Sequence, residues 1–206
     1  MKSLKIAAWT LLALLLSVTG ACVNVKQLHP EKRYYALNVT RTSQPAPKST
    51  AYVLRVKPMR VTPMYDSKGF VYRDGDLNYL SDFYNEFLVP PGPMVTGEVV
   101  KWLQSSSLFK TVLDTPSQVL PEYVLEGAVT SLYGDFRDLK NPKAVLEIQF
   151  FLISATPPKA DVVAQGQFRK ELALSAASPA DLVKGWNEAL AEIMNDFENM
   201  LSSRKL

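Results

Sequence analysis

The chain has 206 residues, 23 basic and 20 acidic, for a formal net charge of +3. That near-balance, with no block of like charge, excludes an electrostatic nucleic-acid binder. A single cysteine and a single histidine exclude an intrachain disulfide framework and structural zinc or iron–sulfur sites, which need more ligands. No metal and no cofactor is expected.

The N-terminus carries Lys2 and Lys5, an apolar run over residues 6–18 and then small residues. This is the n-region, h-region and cleavage-site order of a secretory signal. The run is shorter than the roughly 18 to 20 residues that a spanning helix needs. Gly20 and Ala21 directly before Cys22 resemble a bacterial lipobox, with Thr19 where Leu is usual. The expectation is cleavage between Ala21 and Cys22 and attachment of a diacylglycerol, with palmitate-type acyl chains, to the Cys22 thiol. Ordinary cleavage with a leftover thiol, or an uncleaved N-terminal anchor, are the alternatives. One short chain binds a bilayer only reversibly, whereas the two or three chains of a mature lipoprotein hold it stably. Val23, rather than Asp, after the cysteine points to the outer membrane. Removing residues 1–21 leaves 185 residues, the size of one ordinary domain.

Residues 22–33 read as a tether and 34–39 (YYALNV) as a strand. Residues 40–50, rich in Ser, Thr and Pro, read as a loop. The alternation over 51–61 predicts a half-buried strand, with Pro58 marking an edge or a bulge. YVL at 52–54 and again at 123–125 opens a run of strands followed by a helix, which reads as a duplicated unit or as chance. Asp74-Gly75 within residues 69–80 predicts a hairpin with positive φ angles in a tight turn. After the rigid FLVPPGP, a helix is expected from Pro93, with Val95, Val99, Trp102 and Leu103 on one face. Residues 122–136, 143–157 and 161–174 read as strands, with Gly127 and Gly166 as candidate bulges. Ser178 as N-cap, Pro179 at the first helical position and Asp181 at the third begin a long helix. Its apolar stripe is Leu182, Trp186, Leu190, Ile193, Phe197 and Leu201. The fold class that follows is α+β. It is a two-layer sandwich in which a mixed, mostly antiparallel sheet of about six strands carries two main helices on one face, and residues 34–206 form a single domain.

Catalytic constellations are missing from the pattern. His29 lies in the charged tether, so no Ser-His-Asp or Cys-His arrangement is expected. Asp74, Asp76 and Asn78 share the opening of a calcium loop, but Tyr79 stands where the sharp-turn Gly belongs and Asn85 where the bidentate Glu belongs. Asp82 and Glu86 would be one turn apart on a helix, the spacing of a solvated face rather than of a glycosidase pair. Weight therefore shifts to binding. The candidate partner-binding residues are Phe70, Tyr72, Arg73, Tyr79, Tyr84 and Phe87, from an aromatic cluster that also contains Phe83. Strand alternation turns about half of them toward the core.

The same residues carry a family resemblance. Val71-Tyr72-Arg73, then Tyr79 and Tyr84, Phe87 three positions before Pro90-Pro91, the helix from Val95 to Leu103, and Phe109 with Val112 resemble the ABC-type transport auxiliary lipoprotein family. This group includes the lipoprotein subunit of Pqi-type intermembrane complexes. Phe87 stands where that family usually has Trp. The resemblance implies a non-enzymatic outer-membrane lipoprotein on the periplasmic face. Its partner would be a mammalian-cell-entry-type substrate-binding protein of an ABC transporter, and a homo-oligomeric ring is one assembly that members adopt. The cargo would be a lipid or another hydrophobic compound. A lipid-carrying module with a cavity between helix and sheet is the alternative, and a periplasmic hydrolase a more distant one.

Overall fold

Nine strands join one mixed sheet in the computed structural model, which describes residues 31–41, 51–156 and 160–204. The predicted signal with Ala21 and Cys22, most of the tether and most of the 40–50 loop lie outside the described residues. In chain order the elements are β1 (Arg33–Tyr35), β2 (Val53–Val56), β3 (Arg60–Val61), β4 (Gly69–Arg73), β5 (Tyr79–Phe87), α1 (Pro91–Ser105), β6 (Thr111–Leu113), β7 (Tyr123–Asp135), β8 (Lys143–Ser154), β9 (Asp161–Ala173) and α2 (Pro179–Ser202). Both helices lie on one face, giving the expected α+β two-layer sandwich.

The long strands β7, β8 and β9 form an antiparallel meander. The other edge of β7 is shared by β2, β3 and β4, which pair with it in parallel one after another. This sharing raises the strand number above six. Residues 51–61 do not make one strand, because the chain breaks at Pro58 and resumes pairing with β7 at Arg60. The two YVL segments lie side by side in this arrangement, with Leu54 opposite Tyr123.

The alternation over residues 34–39 is real, but only Arg33–Tyr35 pairs with a strand, β5. Beyond it, Leu37 and Val39 are buried and the backbone amides find helix side chains instead. The amide of Asn38 donates to Asn187 Oδ1 at 2.7 Å and that of Val39 to Glu98 Oε2 at 2.7 Å. An extended segment can thus satisfy its donors without a sheet neighbour.

Three further expectations are corrected. The β4–β5 connection spans residues 74–78 and, among the described residues, no glycine has positive φ; the one positive value belongs to Ser107. The longer turn is closed by side chains: Asn78 Nδ2 donates to Asp74 Oδ1 at 2.6 Å, and Arg73 donates to the carbonyls of Gly75 and Asp76 at 3.2 and 2.7 Å. The first helix starts at Pro91 rather than Pro93, since a proline in the first turn lacks only a donor that the helix leaves free there. The bulges fall between Val129 and Ser131 and between Leu152 and Ile153, not at Gly127 or Gly166. Gly127 is required by crowding: a Cβ there would sit 2.3 Å from Met59 Sδ and 3.1 Å from Phe150.

α2 forms as its sequence dictates. Ser178 accepts from the Asp181 amide at 3.1 Å and its hydroxyl donates to Asp181 Oδ2 at 2.7 Å. The whole predicted stripe is buried. Trp186 is its anchor, donating its indole N–H to the Val145 carbonyl at 3.2 Å and packing its ring 5.1 Å from Phe70 and 5.3 Å from Phe87. Phe197 lies 4.5 Å from Phe150 of β8. Each such burial contributes about 1.5–3 kcal/mol, so this aromatic layer dominates the core.

Candidate interaction site

The site is built on β5. β4 pairs Gly69 with Glu86 but Val71 with Ser81, so residues 82–85 of β5 face Phe70 alone on β4 and bulge outward. These residues are strand and bulge, not a helical turn, which removes Asp82 and Glu86 from any shared helix face.

Asp82 holds the bulge. One carboxylate oxygen accepts the amides of Tyr84 and Asn85 at 2.7 and 3.0 Å, and the other accepts the Tyr72 hydroxyl and Asn85 Nδ2, each at 2.8 Å. Burial works against its charge, but these bonds outweigh it and hold the Asp82 carboxyl below its ordinary range. Tyr72 is pushed up, first by burial and then by the carboxylate it donates to. Gly69 permits the close approach, because a Cβ would lie 2.6 Å from the Asp82 carbonyl oxygen.

The consequence is a knuckle that puts Phe83 and Tyr84 into solvent at 67% and 41% exposure, edge to face at 5.3 Å. Tyr34, Leu88 and Val89 are exposed beside it. Lys32 sits 4.0 Å above the Phe83 ring and pairs with Glu86 at 2.5 Å, while Lys68 donates to the Leu88 carbonyl at 3.0 Å. Toward the start of β5, the Tyr72 ring stacks on Phe136 at 5.0 Å. This pair, with Leu80, Leu139, Arg137 and Pro179, lines an open cleft of about 530 Å³.

The predicted residues therefore separate. Phe70 and Phe87 are buried around Trp186 and offer a partner no surface. Arg73 closes the turn and lies 5.7 Å from the Tyr79 ring, which meets Tyr133 edge-on at 5.7 Å. Tyr79 and Tyr133 also help burial push the neighbouring Tyr65 hydroxyl up to about 12. Tyr72 is half-buried in the cleft wall, and Tyr84 is exposed. Phe83 is more exposed than any of the six, and Leu80, Leu88, Val89 and Leu139, outside that set, are exposed as well. The Leu88-Val89 pair had a legible cue: two apolar residues just before Pro90-Pro91, where strand pairing must stop.

Residues 35–197 match the family described as ABC-type transport auxiliary lipoprotein component. The chain belongs to this family. As an auxiliary lipoprotein it is a non-catalytic component of ABC-type transport. Among the described residues no group of three or more His, Cys, Asp or Glu could hold a metal ion.

Solved structures agree on the auxiliary lipoprotein's fold. A Xanthomonas campestris protein is 19% identical, with TM-score 0.73, over 83% of this chain and 96% of its own. A Chlamydia trachomatis hypothetical protein is 12% identical, with TM-score 0.51, over 75% and 100%. The PelC dodecamer from Paraburkholderia phytofirmans is 16% identical, with TM-score 0.50, over 81% and 99%. No curated protein matches the chain in sequence.

Proposed function

We propose that this chain is an outer-membrane-anchored periplasmic lipoprotein that docks the mammalian-cell-entry-type substrate-binding protein of an ABC-driven system moving lipid or another hydrophobic compound between membranes. The family match over residues 35–197 carries the reading. Two further observations support it: the lipobox ending at Cys22, and an open cleft that combines an apolar wall of Tyr72, Phe136, Leu80 and Leu139 with the charged Asp74, Asp82 and Arg137, suited to a protein anchor. A lipid anchor joined to a docking domain raises the local concentration of a partner at the bilayer with no chemistry of its own. A homo-oligomeric ring, as the dodecameric state of PelC suggests by analogy of fold, would multiply that effect. A lipid carrier would need space between sheet and helices, and there Phe70, Phe87, Phe150, Trp186 and Phe197 are all fully buried, which favours the adaptor.

The test is purification from detergent-solubilised membranes. Co-purification of a mammalian-cell-entry protein, palmitate label on the wild-type chain, and release of Cys22→Ala from the membrane are expected. A membrane-bound protein that never retains such a partner overturns the docking role. An unlabelled mature chain overturns the anchor.

A further inference from the structure

The structure assigns an occupant to the aromatic knuckle: we propose that Phe83 and Tyr84, with Tyr34, Leu88 and Val89, seat the domain on the surface of a lipid bilayer. The inference rests on lipid attachment at Cys22 and goes beyond it, because an acylated tether alone leaves the folded domain free to hang at any orientation.

Three observations converge. The first is construction: four hydrogen bonds to Asp82 fix a bulge whose effect is to hold two adjacent aromatic rings outward. Phe83 at 67%, Leu88 at 57% and Tyr34 at 55% exposure are left largely open by the described residues, with Lys32 over the Phe83 ring.

The second is position. β1 runs parallel to β5 with Arg33 opposite Asn85, and Lys32 stands on the Phe83 ring. The tether therefore reaches the domain at the knuckle. Cys22 precedes Lys32 by ten residues, and such a segment spans at most roughly 33–36 Å even when fully extended. A diacylglycerol on that thiol therefore holds this end of the sheet within a tether's length of the bilayer without fixing which face meets it, while the Tyr72 cleft, which Asp82 also lines, extends from the bulge toward the turn end of the hairpin.

The third is chemistry. Aromatic rings flanked by basic side chains suit the headgroup region, where rings sit among glycerol groups and cations meet phosphate. Lys32, Arg33 and Lys68 border the patch. Of the nearby acids, Glu86 and Lys32 neutralise one another and Asp82 is occupied inside the bulge; Glu31 is exposed beside Lys32, so Arg33 and Lys68 carry the positive charge of the patch.

The experiment uses the full, lipidated chain. Its only cysteine is Cys22, so Phe83→Cys and, separately, Leu88→Cys give one free thiol each for a polarity-sensitive fluorophore; Leu139→Cys in the cleft wall is the reference. The proteins are reconstituted in vesicles of phosphatidylethanolamine and phosphatidylglycerol, with and without bromine on the acyl tails. The expected result is a blue-shifted emission at positions 83 and 88 that brominated lipid quenches several-fold more than at position 139. Vesicle-bound protein with equal, weak quenching at all three positions overturns the proposal and leaves the anchor intact. A label at position 83 that is shielded without lipid shows a second copy on the patch, and one shielded only when the mammalian-cell-entry protein is added shows that partner; either overturns it. Protein that fails to float with vesicles overturns the anchor and this proposal together.

Discussion

The indole N–H of Trp102 on α1 donates to Glu198 Oε2 on α2 across 3.1 Å. Arg41 completes the junction: its guanidinium lies 4.7 Å from the Trp102 ring and pairs with both Glu198 oxygens, the Glu198 and Arg41 side chains being only 13% and 12% exposed. One carboxylate thus fastens two helices and the extended segment that crosses them.

Removing that carboxylate strands a nearly buried cation. Glu198→Ala is expected to destabilise the protein by about 3–5 kcal/mol. Glu198→Gln, which retains an acceptor for the indole, should lose less. Urea unfolding midpoints for the two variants check the order; equal losses would show that the acceptor kept for the indole contributes nothing, and no loss in either would show that the charge pair contributes nothing.

Within the aromatic cluster, core and surface members should differ sharply. Phe87→Ala empties a site between Phe70 and Trp186 and is expected to cost about 3–5 kcal/mol. Phe83→Ala, at an exposed position, should stay within about 0.5 kcal/mol of the parent. Thermal denaturation of both variants reads the contrast.

Gly127→Ala tests crowding between β7 and the chain at Met59. The added methyl would meet Met59 Sδ at 2.3 Å and the Gln149 carbonyl oxygen at 3.2 Å. A loss of about 1–3 kcal/mol is expected, as for other overpacked cores. Adding Met59→Ala should recover part of it, because the thioether gives way but the β8 backbone does not. Additive losses in a double-mutant cycle would refute the contact.

Asp82 predicts an acid sensitivity. Its folded carboxyl lies below the unfolded value of about 3.9, so it stabilises the fold above that pH and the contribution disappears as pH falls through the folded value. Asp82→Asn should lower stability at neutral pH and flatten the decline on acidification. Asp135, held down by the Arg137 guanidinium, and Glu171, held down by Arg169, maintain the remaining slope. Denaturant midpoints from about pH 6 down to about pH 2 measure the difference.

How much was legible follows from the range of the forces involved. α2 is written in local chemistry, a Ser-Pro-Ala-Asp start and a stripe of 3.6-residue period, and it folds as read. The long strands β7 to β9 announce themselves by alternation in the same way. The knuckle does not, because it depends on Asp82 meeting Tyr72 ten residues away and on a glycine at position 69 across the hairpin. Nor could spacing decide whether residues 82–86 were helical, because spacing alone cannot register a bulge that pairing creates. Alternation did warn that some cluster aromatics face inward, yet which ones was set by the register shift between Gly69 and Val71.

The wiring of β7 also shapes how the molecule comes into being. β2, β3 and β4 all wait for one strand that spans Tyr123–Asp135, so synthesis from the N-terminus releases the first half of the chain before its docking edge exists. In a nascent polypeptide of this design the β4–β5 hairpin has its partners at hand, whereas three strand edges stay unmatched until residue 135 emerges, so closure of the sheet waits on that strand.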